Sequence, residues 1–124
     1  MVYCQIISIS SNMNRYRRSI PLLIWSGVII FGSSQGAVTV TQARDFDVFI
    51  HKCAHLTEYA ILYLCFIYAF YTNKKNYPVL SAIGLLFIFF FGISDELHQL
   101  LTPTRGPRVS DAFIDLTGGI LGYL

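Results

Sequence analysis

The sequence predicts an all-α integral membrane protein, a bundle of about four transmembrane helices. Hydrophobic residues make up 54% of the 124 residues, charged residues make up 13%, and the mean hydropathy is +0.54. A soluble domain carries about 25% charged residues, and a chain this short cannot hide so much apolar surface from water. The apolar residues also fall in separate runs divided by short polar segments. The lipid bilayer is therefore the expected partner, and a net charge of +2 without a basic stripe argues against nucleic acid.

The first apolar run, at residues 20–33, follows a polar stretch that ends in three arginines. We expect residues 1–19 to form a cytoplasmic N-terminal tail and residues 20–124 to form a four-helix transmembrane domain. A span needs about 20 residues, so flanking residues must lengthen the first run. The alternative is a cleaved signal peptide, because a basic stretch, an apolar core and small residues follow one another here.

Three further helices are predicted at residues 53–71, 79–101 and 110–124. Pro78 suits the first turn of the third helix, where its missing N–H is not needed. Ser110 is the expected N-cap of the fourth helix, and Asp111 suits the first turn of that helix. The connection at 36–52 has room for a short interfacial helix, and a tight turn and a loop are expected at 72–77 and 102–108.

The basic residues predict the orientation of the chain in the cell membrane. One set falls on the N-terminal side of the bundle: Arg15, Arg17, Arg18, Lys74 and Lys75. The other set falls on the opposite side: Arg44, Lys52, Arg105 and Arg108. The bias is slight, and the N-terminal trio decides it. We expect a multi-pass protein with both termini inside.

Ionisable and amide side chains concentrate at three of the predicted helix ends. They are His55 and Glu58 in the second helix, Asp95, Glu96, His98 and Gln99 in the third, and Asp111 and Asp115 in the fourth. An up-down-up-down bundle brings these ends to one face, which the predicted orientation places outside. Each residue alone is explained equally well as a helix cap, a solvated interfacial charge or half of a structural ion pair. Their clustering indicates a functional site, because charges below the membrane surface are costly.

The fourth helix also carries Gly118 and Gly122, four residues apart and in line with Asp111 and Asp115. This G-x-x-x-G spacing lets helix backbones approach closely in lipid. The polar stripe and the packing stripe of the helix therefore coincide. Both aspartates are expected to point into the bundle.

Three segments carry a resemblance to a known family. They read FGSSQG from Phe31, HKCAHLTEYAIL from His51 and SDELHQLLTPTRGPRVSDAFIDLTGGILG from Ser94. Together they resemble the VanZ-like membrane proteins, a family named for an accessory protein of teicoplanin resistance. The matching positions are Lys52, His55, Tyr59, Asp95, Glu96, His98, Gln99, Pro103, Arg105, Asp111, Asp115, Gly118 and Gly122. His51 departs from the pattern, which usually has aspartate before the lysine. The resemblance implies a membrane location and a link to the cell envelope or to lipoglycopeptide tolerance.

Three functions compete for this polar cluster. The first is an enzyme acting on a lipid-linked or lipid-like anionic substrate, such as an envelope precursor. Its candidate catalytic residues are Asp95, Glu96, His98 and Asp111, and its candidate substrate-binding residues are Lys52, His55, Tyr59, Gln99, Arg105 and Asp115. In this interpretation a carboxylate is the base, His98 the acid and Arg105 the phosphate ligand.

No cofactor is identified by the sequence. A divalent cation could sit among the histidines and carboxylates, but no spacing matches a zinc signature. The second function is a non-enzymatic factor that binds an anionic lipid or assists assembly. The third is a small proton-coupled transporter, which is disfavoured because the polar groups crowd one face rather than the bilayer midplane.

Overall fold

A computed structural model describes residues 15–35, 44–101 and 109–124, and these residues form four α-helices. They are α1 (Arg15–Ser34), α2 (Arg44–Phe70), α3 (Tyr77–Gln99) and α4 (Val109–Tyr123). A 3-10 turn, Lys74–Asn76, joins α2 to α3, and the side chain of Asn73 accepts a hydrogen bond from the backbone N–H of Asn76. The described part of the chain contains no strand, so the predicted all-α class is confirmed there.

The helix boundaries correct the sequence-based prediction in three places. α1 begins at Arg15, inside the predicted tail, and α2 begins at Arg44, inside the predicted connection at 36–52. α4 begins at Val109, so Ser110 lies in its first turn instead of capping it. Polar residues extend the first two helices because a helix can continue beyond its apolar stretch into water or the membrane interface. Pro78 lies in the first turn of α3, as predicted.

Two helical segments are long and apolar enough to cross a membrane, by length and composition. They are Phe46–Phe70 in α2 and Lys74–Gln99, which takes in the 3-10 turn and α3. α4 has 15 residues and α1 has 20, including its basic first turn. The prediction of four transmembrane helices is therefore supported for two of them.

The helices run alternately up and down. Arg18, near the start of α1, donates to the carbonyl oxygen of Tyr71, just beyond the end of α2 (3.3 Å). Further along α1, the Nε1 atom of Trp25 donates to the carbonyl oxygen of Glu58 (2.8 Å). α4 runs parallel to α2, since its successive turns contact successive turns of α2.

Two glycines explain how α4 lies so close to α2. A Cβ atom at Gly118 would lie 2.6 Å from the carbonyl oxygen of Leu56, and one at Gly122 would lie 2.7 Å from that of Ala60. Both obstacles are backbone atoms, which cannot move without separating the helices. The prediction that the G-x-x-x-G pair packs against a neighbouring helix is confirmed.

The core is apolar and aromatic, and much of the outer surface is apolar too. Tyr59, Leu62, Tyr63, Ile67 and Ile88 are fully or almost fully buried. Large apolar side chains are exposed on the outside of all four helices, among them Leu23, Phe49, Leu86, Phe90 and Leu121. Such an exterior suits contact with lipid.

Candidate functional site

The antiparallel packing gathers the polar helix ends at one end of the bundle, which we call the polar end. It comprises Ser33, Ser34, His51, Lys52, His55, Glu58, Asp95, Glu96, His98, Gln99, Asp111 and Asp115. The opposite end, the basic end, comprises Arg17, Arg18, Lys74 and Lys75. The sequence predicted this separation of the two sets.

A histidine–aspartate pair with a half-buried imidazole and a fully buried carboxylate lies at the polar end. The Nδ1 atom of His55 lies 2.9 Å from the Oδ1 atom of Asp115, in hydrogen-bond contact, and Asp115 is 0% exposed. An ionised carboxylate can only accept, so Nδ1 then carries the proton and Nε2 is left for a ligand. The other carboxylate oxygen of Asp115 packs against Gly92, where a Cβ atom would lie 3.0 Å away.

Tyr59 lies one turn along α2 from His55, and their rings are parallel with centroids 6.3 Å apart. The tyrosine is fully buried. Its hydroxyl lies close to Asp115 but outside hydrogen-bond geometry, and it has no other partner among the described residues. Tyr59 therefore supports the histidine ring by packing.

A chain of hydrogen bonds joins α1 to α3. The side-chain amide of Gln99 donates both to Ser33 Oγ (3.0 Å) and to Asp95 Oδ2 (3.1 Å). All three side chains are buried. Asp95 and Gln99 are four residues apart, and this contact confirms that they share one face of the helix.

A second, more exposed link runs beside the first. Ser34 Oγ lies 2.9 Å from His98 Nε2 and 2.7 Å from the carbonyl oxygen of Ile30. The hydroxyl has one hydrogen, and the carbonyl can only accept, so Ser34 donates to Ile30. His98 Nε2 must then donate to Ser34, which fixes the histidine tautomer.

Two small cavities meet at Asp95. One, of about 100 Å³, is lined by Ile29, Ser33, His51, His55, Glu58 and Asp95, with smaller residues between them. We call it the inner cavity. The other, of about 140 Å³, is lined by Ile30, Phe91, Ser94, Asp95 and His98. Both lie between α1 and α3, and α2 also contributes to the inner cavity.

The structure brings some of the predicted site residues together and leaves others apart. His55 and Asp95 line the inner cavity. His55 is hydrogen-bonded to Asp115, and Asp95 accepts a hydrogen bond from Gln99. Glu96 is buried but lines neither cavity, and Lys52 is exposed. Asp111 is half-buried beside Ser110 in the first turn of α4. Arg105 lies outside the described residues.

Several residues of the site are not among those predicted from the sequence. Ser33 and Ser34, which belong to a family motif, contact Gln99 and His98. His51, which departs from the family pattern, lines the inner cavity and lies 3.7 Å from Asp47. The i, i+4 spacing of His51 and His55 was the available signal, since it places both on one helix face.

Among the residues that the structure describes, no group of three or more histidine, cysteine, aspartate or glutamate side chains is arranged to hold a metal ion. The polar groups that line the inner cavity are two histidines, two carboxylates and a serine hydroxyl. Such a lining suits a polar organic group.

In its described residues the chain is an all-helical bundle with an apolar exterior, two segments long and apolar enough to cross a membrane, and one polar end, an arrangement typical of small membrane proteins. The family model VanZ/LLP1 matches residues 5–124, and the chain therefore belongs to the VanZ/LLP1 family. The resemblance drawn from the three motifs is confirmed. No curated protein and no solved structure matches the chain.

Proposed function

We propose that this protein binds the polar head group of a lipid-linked, phosphate-bearing substrate at its polar end, with His55 as a general acid–base group. The observation that carries the proposal is the contact of His55, which lines a cavity, with the buried carboxylate of Asp115. A buried carboxylate on Nδ1 orients an imidazole and stabilises its protonated form, which is the arrangement that acid–base catalysis needs. Asp95 and His98, which line the cavities, remain catalytic candidates, whereas Glu96 and Asp111 line neither cavity.

The surroundings of the cavity support a lipid as the carrier of that head group. Large apolar side chains are exposed along the same helices, so an acyl or prenyl chain can stay in the bilayer while its head group reaches the cavity. Lys52 is exposed on α2, next to His51 of the cavity wall, and is suited to contact a phosphate. Arg105 is proposed as a second phosphate ligand by its place in the family motif.

Membership of the VanZ/LLP1 family supports a role in the cell envelope. We propose that the substrate is an envelope precursor or an anionic lipid. Altered handling of such lipids would account for tolerance of teicoplanin, the phenotype from which the family takes its name. In this proposal the polar end faces outward and both termini face inward.

The test uses the full chain in nanodiscs, with polyprenyl phosphate as the probe and polyprenol, which has the same chain and no phosphate, as the control. We expect polyprenyl phosphate to bind more tightly than polyprenol, and Lys52→Gln to weaken that binding. Lys75→Gln, at the basic end, is the matched control and leaves binding unchanged. Equal binding of the two lipids by the wild-type protein would contradict the proposal.

A second candidate function is supported by the links between α1 and α3. Gln99, Asp95 and Ser33 are joined by hydrogen bonds, and His98 contacts Ser34, so several polar groups already hold the helices together. This favours a non-enzymatic binding or assembly factor. Incubation with a polyprenyl-diphosphate precursor, followed by chromatography of the lipid products, distinguishes an enzyme from a non-enzymatic factor. Turnover that is lost in His55→Gln but kept in Thr57→Val indicates an enzyme, whereas binding without turnover indicates the factor.

A further inference from the structure

Asp95 is the most unusual residue of the inner cavity, because it is buried and only one of its two carboxylate oxygens has a hydrogen-bond partner among the described residues. Its side chain is 4% exposed. Its Oδ2 atom accepts a hydrogen bond from Gln99, but its Oδ1 atom has no hydrogen-bond partner among the described residues. Buried polar atoms are nearly always paired, because an unpaired one costs about 1–3 kcal/mol and a charged one costs more. Within the described part of the chain, the Oδ1 atom of Asp95 is therefore a buried acceptor without a donor.

The groups around Asp95 restrict the kind of donor that it can take. The lining of the inner cavity contains two carboxylates, from Glu58 and Asp95, and no lysine or arginine from the described residues. The two histidines of the lining each have an aspartate neighbour of their own: Asp115 for His55 and Asp47 for His51. A positive charge on either imidazole ring is therefore offset by the negative charge of its neighbouring aspartate. The described lining favours a cationic donor over an anion.

The size and donor set of the cavity favour a compact ammonium over a metal ion. About 100 Å³ accommodates a small head group, and Ser33 Oγ and the Glu58 carboxylate are further acceptors beside Asp95. A primary ammonium has three N–H donors on a single point charge. The described residues provide no metal-binding group of three or more ligands.

We propose that the inner cavity binds the primary ammonium group of an amine-bearing lipid head group, with Asp95 as its principal acceptor. The inference rests on the proposed function and deepens it by naming the substrate class. The ammonium enters between α1, α2 and α3, and the phosphate of the same head group stays near Lys52. Asp95 is a binding residue in this account and forms no covalent bond.

The experiment measures lipid binding by the full chain in detergent, through tryptophan fluorescence and thermal unfolding. The probes are phosphatidylethanolamine, its N-methyl and N,N-dimethyl derivatives, and phosphatidylcholine. These four lipids carry the same phosphate and the same positive charge, but they offer three, two, one and no N–H donors. We expect affinity to fall stepwise along the series, by about tenfold in total, as a loss of about 1.4 kcal/mol would give.

Variants then locate the contact. Asp95→Asn should remove the preference for phosphatidylethanolamine. Lys52→Gln should instead weaken the binding of all four lipids equally and keep the preference. Ser81→Ala is the control on the same helix, because Ser81 is buried at the other end of α3 and bonds only its own helix backbone. The methylation series needs no variant, so it tests the proposal even where Asp95→Asn does not fold.

The outcomes separate this inference from the proposed function. Equal affinity across the series, with binding of phosphate lipids retained, overturns the ammonium site alone. Binding of none of these lipids and no binding of polyprenyl phosphate overturns both. Free phosphoethanolamine should compete only weakly if the lipid is the ligand, and equal competition per mole would assign the site to a soluble amine instead. A response to Mg²⁺ or Ca²⁺ without any response to amines would also overturn the proposal.

Discussion

At the basic end of the bundle, Lys74 and Lys75 lie in an exposed turn, and Arg18 reaches the carbonyl oxygen of Tyr71. At the polar end, carboxylates are buried instead, and Asp115 is not exposed at all. Charges that set orientation in a membrane need only stay in water or at the interface. Buried charges cost free energy, so their retention calls for a structural or functional reason.

The largest contrast between the ends is their predicted position across the membrane. In a chain freed of its own cysteines at 4, 53 and 65, Ser34→Cys should react with an impermeant maleimide added to intact cells. Asn73→Cys, at the basic end, should react only after the membrane is opened. This all-or-none difference follows from the N-terminal arginines. The reverse pattern would place the polar end inside.

The next largest effect concerns the buried pair. Asp115→Ala should lower the free energy of unfolding by about 3–5 kcal/mol, because it leaves His55 without its partner and opens a cavity. Lys75→Ala, at the basic end, should change it by less than about 0.5 kcal/mol. Unfolding in detergent measures both. A similar small change in the two variants would mean that the pair adds nothing to the fold.

Between the two ends, α2 and α4 are in close contact from Leu56 to Tyr63. Gly118→Ala and Gly122→Ala should each destabilise the protein by about 1–3 kcal/mol, since the added methyl group meets a backbone oxygen. Gly27→Ala is the matched control, because a Cβ atom at that position would meet no atom within 4 Å beyond the adjacent backbone of its own helix. It should be neutral or stabilising by up to about 1 kcal/mol. Equal effects at all three sites would contradict the packing of α4.

The smallest effects are expected from the loss of individual hydrogen bonds at the two ends of the bundle. Ser34→Ala removes the contact with His98, and Arg18→Ala removes the contact with Tyr71. Each should cost about 0.5–1.5 kcal/mol, the usual net value of one hydrogen bond. A loss of several kcal/mol at either position would show that these links, and not the buried groups, hold the helices in register.

The sequence alone predicted the helical class, the separation of charge between the two ends and the packing role of Gly118 and Gly122. These follow from hydropathy and helix periodicity, which depend on local sequence. It misplaced the starts of the first two helices, because polar residues such as Arg15 and Arg44 mark no boundary by hydropathy.

The pairing of site residues was harder to predict. His55 with Asp115 and Ser33 with Gln99 are separated by about 60 residues or more along the chain, and their contact depends on the rotation of each helix about its axis. The same rotation leaves Glu96 and Asp111 outside the two cavities. Spacing within one helix, by contrast, was sufficient to predict that Asp95 and Gln99 share a face.

The thermal unfolding of Asp95→Asn tests most directly whether the polar end is a site or only a structural network. Asparagine keeps an acceptor for Gln99 and removes the carboxylate oxygen that has no partner among the described residues. Residues retained for function at a cost in stability become neutral or stabilising when replaced. We therefore predict that the Tm of the ligand-free protein stays the same or rises. A fall in Tm as large as that of Asp115→Ala would contradict the account and show that Asp95 serves the fold.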